Sequence, residues 1–221
     1  MRLMRTAKLL STMFLFTSVL IAPPLEADDF TVGLKSFYAS RSTDNLEDDE
    51  AFFDPGIYLA WDITDRFWVS TAYLGGAVDF IISGSTTAGT IEEVDSDIVF
   101  GWRMKSIDLG VGYRITDFTT TVFDLSTATK SAGPMLYLGG GSGFGRSAWG
   151  YYWGTAYMFD DLEDDDGAQE HFNGEAGLRW ASKQGLSILL GYRYKEYSGD
   201  GAGGLSFSGL AFSLGYTFLS K

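Results

Sequence analysis

Charged residues recur on one side of several segments whose other side is apolar. Between Ile107 and Ile115, for example, Asp108 and Arg114 share one parity and the bulky apolar residues share the other. Charges on one face of a strand can line a pore and select ions, or they can pair with one another inside a packed interior. The mixed signs favour the second interpretation, and the candidates are Lys35, Asp62, Asp108, Arg114, Glu175, Arg179, Arg193 and Lys195.

Two acidic segments form a second candidate site. Carboxylate oxygens are the ligands that calcium prefers, so these segments could bind divalent cations. Gly167 would put Leu162 at the first position of an EF-type loop, so that motif is absent. The other interpretation is a pair of loops kept in solution by their charge. The candidate ligands are Asp48, Asp49, Asp161, Asp164, Asp165 and Asp166.

His171 is the only histidine in the chain and the one side chain suited to acid–base chemistry near neutral pH. It stands beside Glu170 at the start of a strand-like segment. The sequence shows no general base, nucleophile and orienting residue that would form a catalytic site with it. We therefore expect an incidental histidine at a strand end and no enzyme. No segment is typical of a cofactor site, and we expect no cofactor.

The first 27 residues have the layout of a secretory signal peptide. Arg2, Arg5 and Lys8 precede an apolar run of about fourteen residues, which is short for a membrane-spanning helix, and Ala27 offers a cleavage site. We therefore expect one mature domain, 28–221, with a net charge of −15 against −13 for the whole chain. This charge makes nucleic acid an unexpected partner. The absence of cysteine excludes disulfides and a thiol nucleophile.

A period of two dominates the rest of the sequence. In the last such segment, Leu210, Phe212, Leu214, Tyr216 and Phe218 alternate with glycine, alanine, serine and threonine. A soluble sheet would carry Lys, Glu and Thr on its polar face, whereas here small residues share a face with isolated charges. The pattern therefore predicts an all-β, transmembrane, antiparallel up-and-down barrel whose apolar face meets lipid.

Ten segments fit this barrel, although eight strands remain possible. Short connections are predicted at Thr64-Asp65, Thr116-Asp117, Gly143 to Arg146 and Lys183-Gln184, and the connections between them are longer except for a short loop near Thr129. This pattern puts both termini at the short-turn end. In outer-membrane barrels that end faces the periplasm. The predicted strands are 29–39, 55–63, 66–80, 97–115, 118–128, 133–142, 148–159, 171–182, 185–197 and 207–219.

The strand endings Gly112-Tyr113-Arg114 and Gly191-Tyr192-Arg193, with the strand 209–218, resemble the small outer-membrane barrel proteins of Gram-negative bacteria. The resemblance implies contact with membrane lipids and lipopolysaccharide, to whose phosphates divalent cations at the acidic loops could bridge. The alternating aromatic C-terminus is also similar to the signature recognised by the barrel assembly machinery, but Leu219, Ser220 and Lys221 follow Phe218. Outer-membrane proteases and lipid A deacylases are related barrels, and neither enzyme's motif is found around His171.

Aromatic residues near the predicted strand ends indicate the girdles found at membrane–water interfaces, and a carbohydrate-binding platform is the alternative. We predict a barrel with a structural or interaction role and a plugged or narrow lumen. The first alternative is a porin-like pore for small solutes or ions, and the second is an outer-leaflet enzyme that uses His171. The aromatic residues in question are Trp61, Trp68, Trp149, Trp153, Trp180, Tyr38, Tyr58, Tyr73 and Tyr157.

Overall fold

The structure is a computed structural model that describes residues 29–42, 46–47, 52–82, 88–159, 169–199 and 202–219. The predicted signal peptide, 1–27, lies outside these residues. Within the described part of the chain, no helix has the length and apolar character needed to cross a membrane.

Ten antiparallel strands form a barrel that closes on itself. Each strand pairs with its neighbours in sequence, and the last pairs with the first, from Asp29 opposite Leu219 to Ser42 opposite Ser206. A further two-residue strand, Leu46–Glu47, pairs with the end of the third strand. The predicted all-β up-and-down barrel of ten strands is confirmed. Its strands are β1 (Asp29–Ser42), β2 (Phe52–Asp62), β3 (Phe67–Ile82), β4 (Ala88–Met104), β5 (Ile107–Val122), β6 (Leu125–Gly143), β7 (Trp149–Met158), β8 (Gln169–Ala181), β9 (Leu186–Gly199) and β10 (Ala202–Leu219).

The two ends of the barrel differ in their connections. One end, here called the turn end, carries the described termini Asp29 and Leu219 and the four short connections 63–66, 105–106, 144–148 and 182–185. At the opposite end, here called the loop end, β1, β3, β7 and β9 end and β2, β4, β8 and β10 begin, and the tight turn at Phe123 and Asp124 joins β5 to β6. The barrel therefore has its described termini and four of its short turns on one side.

The predicted bounds of the middle strands are wrong. The predicted strand 97–115 is two strands joined at Lys105 and Ser106, and the predicted turn at Thr116-Asp117 lies inside β5. Lys105, Phe123 and Asp124 have φ values of 55°, 48° and 62°, the left-handed region that hairpin turns need. Turns of this kind are usually marked by glycine, asparagine or aspartate, so Lys105 and Phe123 gave no turn signal and Asp124 alone was of a turn-favouring type.

Two predicted loops are also mostly strand. The predicted loop 81–96 contains the first part of β4, which begins at Ala88. The predicted loop 198–206 contains the end of β9 and the start of β10. These strands extend further toward the loop end than alternation alone indicated. As a result, the inner face of the barrel near the loop end includes residues of β4 that were expected in a loop.

The outer face carries most of the large apolar side chains, and the inner face carries small and charged ones together with a group of buried aromatic residues. Leu34, Val111 and Leu210 are each about 60% exposed, as expected for side chains that meet lipid. Small residues on the inner face make room for larger neighbours. A Cβ at Gly33 would come within 2.3 Å of the Tyr58 ring, so glycine at this position lets the tyrosine lie flat against the wall.

An arginine at the lipid-facing Leu214 is expected to lower the free energy of unfolding by ~2–4 kcal/mol. Leu214 lies in β10 between Leu34 and Ile188 on the neighbouring strands, so its replacement would put a charge among apolar side chains that face lipid. Urea unfolding in vesicles measures the loss. Leu125→Arg, at the 77% exposed tip of the hairpin between β5 and β6, is the matched control and should change little. Equal effects at both positions would contradict the membrane-facing assignment.

Candidate functional site in the barrel interior

The interior near the loop end is organised around the ammonium group of Lys195 in β9. Lys195 Nζ lies 2.9 Å from Asp54 Oδ2, 2.8 Å from Glu93 Oε1 and 2.8 Å from Asp95 Oδ2. The three carboxylates come from β2 and β4, and all four side chains are almost completely buried. One cation thus joins three acidic groups across the lumen.

Hydroxyl groups add hydrogen bonds to two of these carboxylates. The Tyr197 hydroxyl donates to Glu93 Oε1 at 2.6 Å, and the Thr116 hydroxyl donates to Asp95 Oδ1 at 2.6 Å. Buried charges are tolerated in proteins when ion pairs and hydrogen bonds satisfy them together. These donors come from β9 and β5, so the cluster connects four strands across the barrel.

An aromatic layer packs beside this cluster. Phe37, Phe52 and Phe207 are fully buried, and Tyr197 is in the same apolar cluster. The Phe52 and Phe207 ring centroids lie 4.8 Å apart, and Lys195 Nζ lies 5.7 Å from the centroid of Phe37. A cation over an aromatic face is attracted by the ring quadrupole. The rings and the ion cluster together fill this part of the lumen.

His171 lies inside the barrel and is fully buried, which corrects the expectation of a histidine at the rim. Its ring stacks on Tyr197 with centroids 4.1 Å apart. Arg114 Nη1 donates to His171 Nδ1 at 3.3 Å, since a guanidinium has no acceptor, and Arg114 also pairs with Asp97 at 2.9 Å. The histidine is therefore held between an aromatic face and a cation.

A second ion cluster is centred on Glu175 in β8. Glu175 Oε2 accepts from Arg193 and lies 3.4 Å from Lys35 Nζ, and its Oε1 accepts from the Tyr152 hydroxyl at 2.7 Å. The Arg193 guanidinium lies over the Phe37 ring at 5.3 Å, so the two ion clusters share that aromatic contact. Here one carboxylate serves two cations, the reverse of the arrangement at Lys195.

A cavity of about 420 Å³ occupies the interior on the turn-end side of these clusters. Lys35, Arg114 and Glu175 are among its lining residues, as are Trp68 and Tyr137. At the turn end Arg103 pairs with Asp108 at 3.0 Å and with Asp62 at 3.4 Å. This arrangement leaves space in one half of the lumen, whereas the other half is packed.

The structure brings seven of the eight charges selected from the sequence into these ion pairs. Arg179 is exposed near the turn-end boundary of β8. The acidic-loop residues Asp48, Asp49, Asp161, Asp164, Asp165 and Asp166 lie outside the described residues. The charges that sequence reasoning missed are Asp54, Glu93, Asp95, Asp97 and Arg103.

A signal for four of the missed residues was present in the sequence. Glu93, Asp95, Asp97 and Arg103 share one parity with Val99 and Gly101, so extending the period of two through 91–103 would have placed them on the inner face. The predicted loop 81–96 concealed the first two. Asp54 directly precedes the Pro55 at which the predicted second strand began.

Asp54, Glu93 and Asp95 also satisfy the geometry of a three-carboxylate metal group, with oxygens within 4.8 Å of one another. The Lys195 ammonium occupies the position between them and supplies the positive charge that a cation would bring. The residues therefore fit an internal ion pair better than a metal site.

A closed antiparallel barrel with an apolar outer face and a polar, ion-paired interior defines the class of outer-membrane β-barrels. No protein-family model matches the chain, and no curated protein sequence does either. Among solved structures, the chain is similar to the outer membrane protease OmpT from Escherichia coli, with a TM-score of 0.54 and 11% identity over 90% of this chain and 99% of that one.

Two further structures show weaker similarity. The attachment invasion locus protein Ail of Yersinia pestis, in complex with the heparin analogue sucrose octasulfate, gives a TM-score of 0.47 and 11% identity, with 86% of this chain and 98% of that one covered. The translocator domain of the autotransporter NalP from Neisseria meningitidis gives 0.47 and 8% identity, with 96% of each chain covered. The similarity to the protease structure, at 11% identity, shows the barrel fold alone.

Proposed function

We propose that the protein is an integral outer-membrane barrel with a closed lumen and a structural or interaction role. The observation that carries this proposal is the packed loop-end half of the interior, where Lys195 joins three buried carboxylates beside fully buried phenylalanines. A small barrel of about eight strands has an interior that side chains just fill, and ten strands add little space. Solute would have to displace both the ions and the rings.

The proposed orientation puts the turn end and both described termini in the periplasm and the acidic segments outside the cell. It is supported by the short connections at one end, which in bacterial barrels are periplasmic. Membrane lipids and lipopolysaccharide are then the expected surroundings. Recognition by the barrel assembly machinery through the strand ending at Leu219, and divalent-cation binding at the acidic loops, are further parts of the proposal.

A narrow pore is the second candidate, and the 420 Å³ cavity is the observation that favours it. Movement of the loop-end cluster would connect this cavity to the outside. In that case Arg103, Asp62 and Asp108 at the turn end would influence which ions pass, because charged rings bias selectivity. An enzyme using His171 has less support, since its ring is fully buried between Arg114 and Tyr197.

Planar-bilayer recording of the refolded protein tests the closed lumen. We expect no reproducible conductance steps under conditions in which an open porin conducts. An Arg103→Gln variant gives the comparison, because a pore would change its ion selectivity when this turn-end charge is removed, whereas a closed barrel would stay silent. Wild-type steps whose reversal potential shifts in Arg103→Gln would overturn the closed lumen in favour of the pore.

A further inference from the structure

Each of the four short turns at the turn end carries one basic residue. Arg66, Lys105, Arg146 and Lys183 lie in the turns after β2, β4, β6 and β8 respectively, and all four side chains are exposed. We call these four residues the basic turn ring. No ion pair joins any of them to another residue within the described part of the chain.

This local charge runs against the overall charge of the protein, which is −13. Among side chains that the structure describes, five of the six exposed basic residues are at the turn end: the four of the ring and Arg179 in β8. Lys130 alone lies elsewhere. At that end Asp65 is exposed, Asp29 is half-buried, and Asp62 and Asp108 are paired with Arg103. The turn end therefore carries excess positive charge.

The turns are short enough to keep these charges close to the membrane surface. Neighbouring strands in a sheet are about 4.8 Å apart, so successive members of the ring are separated by roughly 10 Å along the rim. Trp102 and Trp149 are about half exposed on the outer face next to these turns, as expected for aromatic residues at a membrane–water interface. The cations thus lie just beyond an interfacial aromatic belt.

We propose that the basic turn ring binds the phosphate groups of anionic phospholipids in the leaflet that surrounds the turn end. The inference rests on the membrane insertion in the proposed function. Guanidinium and ammonium groups are the side chains that bind phosphate. A basic residue near an anionic membrane surface contributes roughly fivefold to binding. The ring spaces such residues around the rim, so several lipids can be bound at once.

The tryptophans provide a selective reporter of this leaflet. All six lie in strands within four residues of a turn-end boundary. Trp68 is buried and lines the interior cavity, so it does not contact lipid. The other five are on the outward parity of their strands, namely Trp61, Trp102, Trp149, Trp153 and Trp180. Brominated lipid quenches tryptophan on contact. Quenching of the intrinsic fluorescence therefore measures which lipid surrounds the turn end.

The experiment compares brominated phosphatidylglycerol with brominated phosphatidylcholine in phosphatidylcholine vesicles that contain the full-length mature protein. We expect the wild type to bind phosphatidylglycerol about fivefold more strongly at low salt. High salt should weaken this preference, because the screening length falls to roughly 3 Å at 1 M. The ring variant R66Q/K105N/R146Q/K183Q should bring the ratio close to one. Asparagine is chosen at Lys105 because it tolerates the φ of 55° there.

Lys130→Gln is the matched control, because Lys130 is exposed in β6 away from the turn end, and its ratio should equal that of the wild type. If the fourfold variant does not fold, Arg146→Gln and Lys183→Gln are tested singly, and each should lower the ratio. A wild-type ratio near one, or an equal loss in Lys130→Gln, would overturn the ring. Absence of quenching by either lipid would instead contradict membrane insertion, so the two failures are distinguishable.

Discussion

Replacement of Lys195 by methionine is expected to lower the free energy of unfolding by about 3–5 kcal/mol, the largest effect of any single change proposed for this barrel. Methionine fills a similar volume but leaves Asp54, Glu93 and Asp95 buried together without their shared cation. When one partner of a buried ion pair is removed, the remaining charges keep the desolvation penalty of burial and lose the attraction that offset it. Urea unfolding of the protein in lipid vesicles, followed by tryptophan fluorescence, measures the loss.

Two further variants serve as a control and as a rescue for the Lys195→Met substitution. Lys130→Met removes an exposed lysine and should change the free energy of unfolding by less than ~0.5 kcal/mol. The neutral set D54N/E93Q/D95N, added to Lys195→Met, should recover a large part of the lost stability, because no uncompensated charge then remains. A Lys195→Met protein as stable as the wild type would mean that the four groups do not share a dry cluster.

Substitution of Glu175 by glutamine is expected to lower the free energy of unfolding by ~3 kcal/mol. Glutamine keeps the shape and can still accept from Tyr152, but it leaves Arg193 and Lys35 without their shared anion. The loss should be smaller than at Lys195, because Lys35 is 27% exposed at the cavity wall and water there offsets part of the cost. The same urea titration measures it.

Glu92→Gln is the matched control, since Glu92 is exposed on the outer parity of β4 and its replacement should have little effect. A double-mutant cycle of Glu175→Gln with Arg193→Met isolates the pair energy. If the two substitutions are additive, Glu175 and Arg193 are not coupled and the assignment of Glu175 as the centre of the second cluster fails.

The sequence predicted on which face of a strand each side chain lies, because side chains on a strand alternate with a period of two. Leu210 and Phe212, predicted to face lipid, are exposed on the outer face, while Ser213 on the other parity is buried. The same reasoning found Lys195 and Arg193 on the inner face. It required no knowledge of which strands are neighbours.

The sequence did not predict the turns between the middle strands. Lys105 and Phe123 adopt left-handed backbone conformations that their residue types do not indicate, and Asp124 was the one turn-favouring residue among the three. Strand pairing with β4 and β6 decides where β5 begins and ends, and it places Thr116 beside Asp95 in the interior instead of in a turn. The same polar residue types occur in turns and on the inner face of a barrel, so the sequence does not distinguish the two positions until the pairing partner is known.

The sequence by itself determined the barrel class and the inward or outward face of the alternating side chains, because these follow from local periodicity. It also predicted ten strands, but it placed one short turn, Thr116-Asp117, inside what is β5. Only the tertiary structure shows which charged residues in the lumen form ion pairs with one another. Lys195 and Asp54 are 141 positions apart, and they meet because ring closure brings β9 and β2 face to face across the interior. Alternation specifies a face, but contact across the lumen depends on the register of every strand between the two residues.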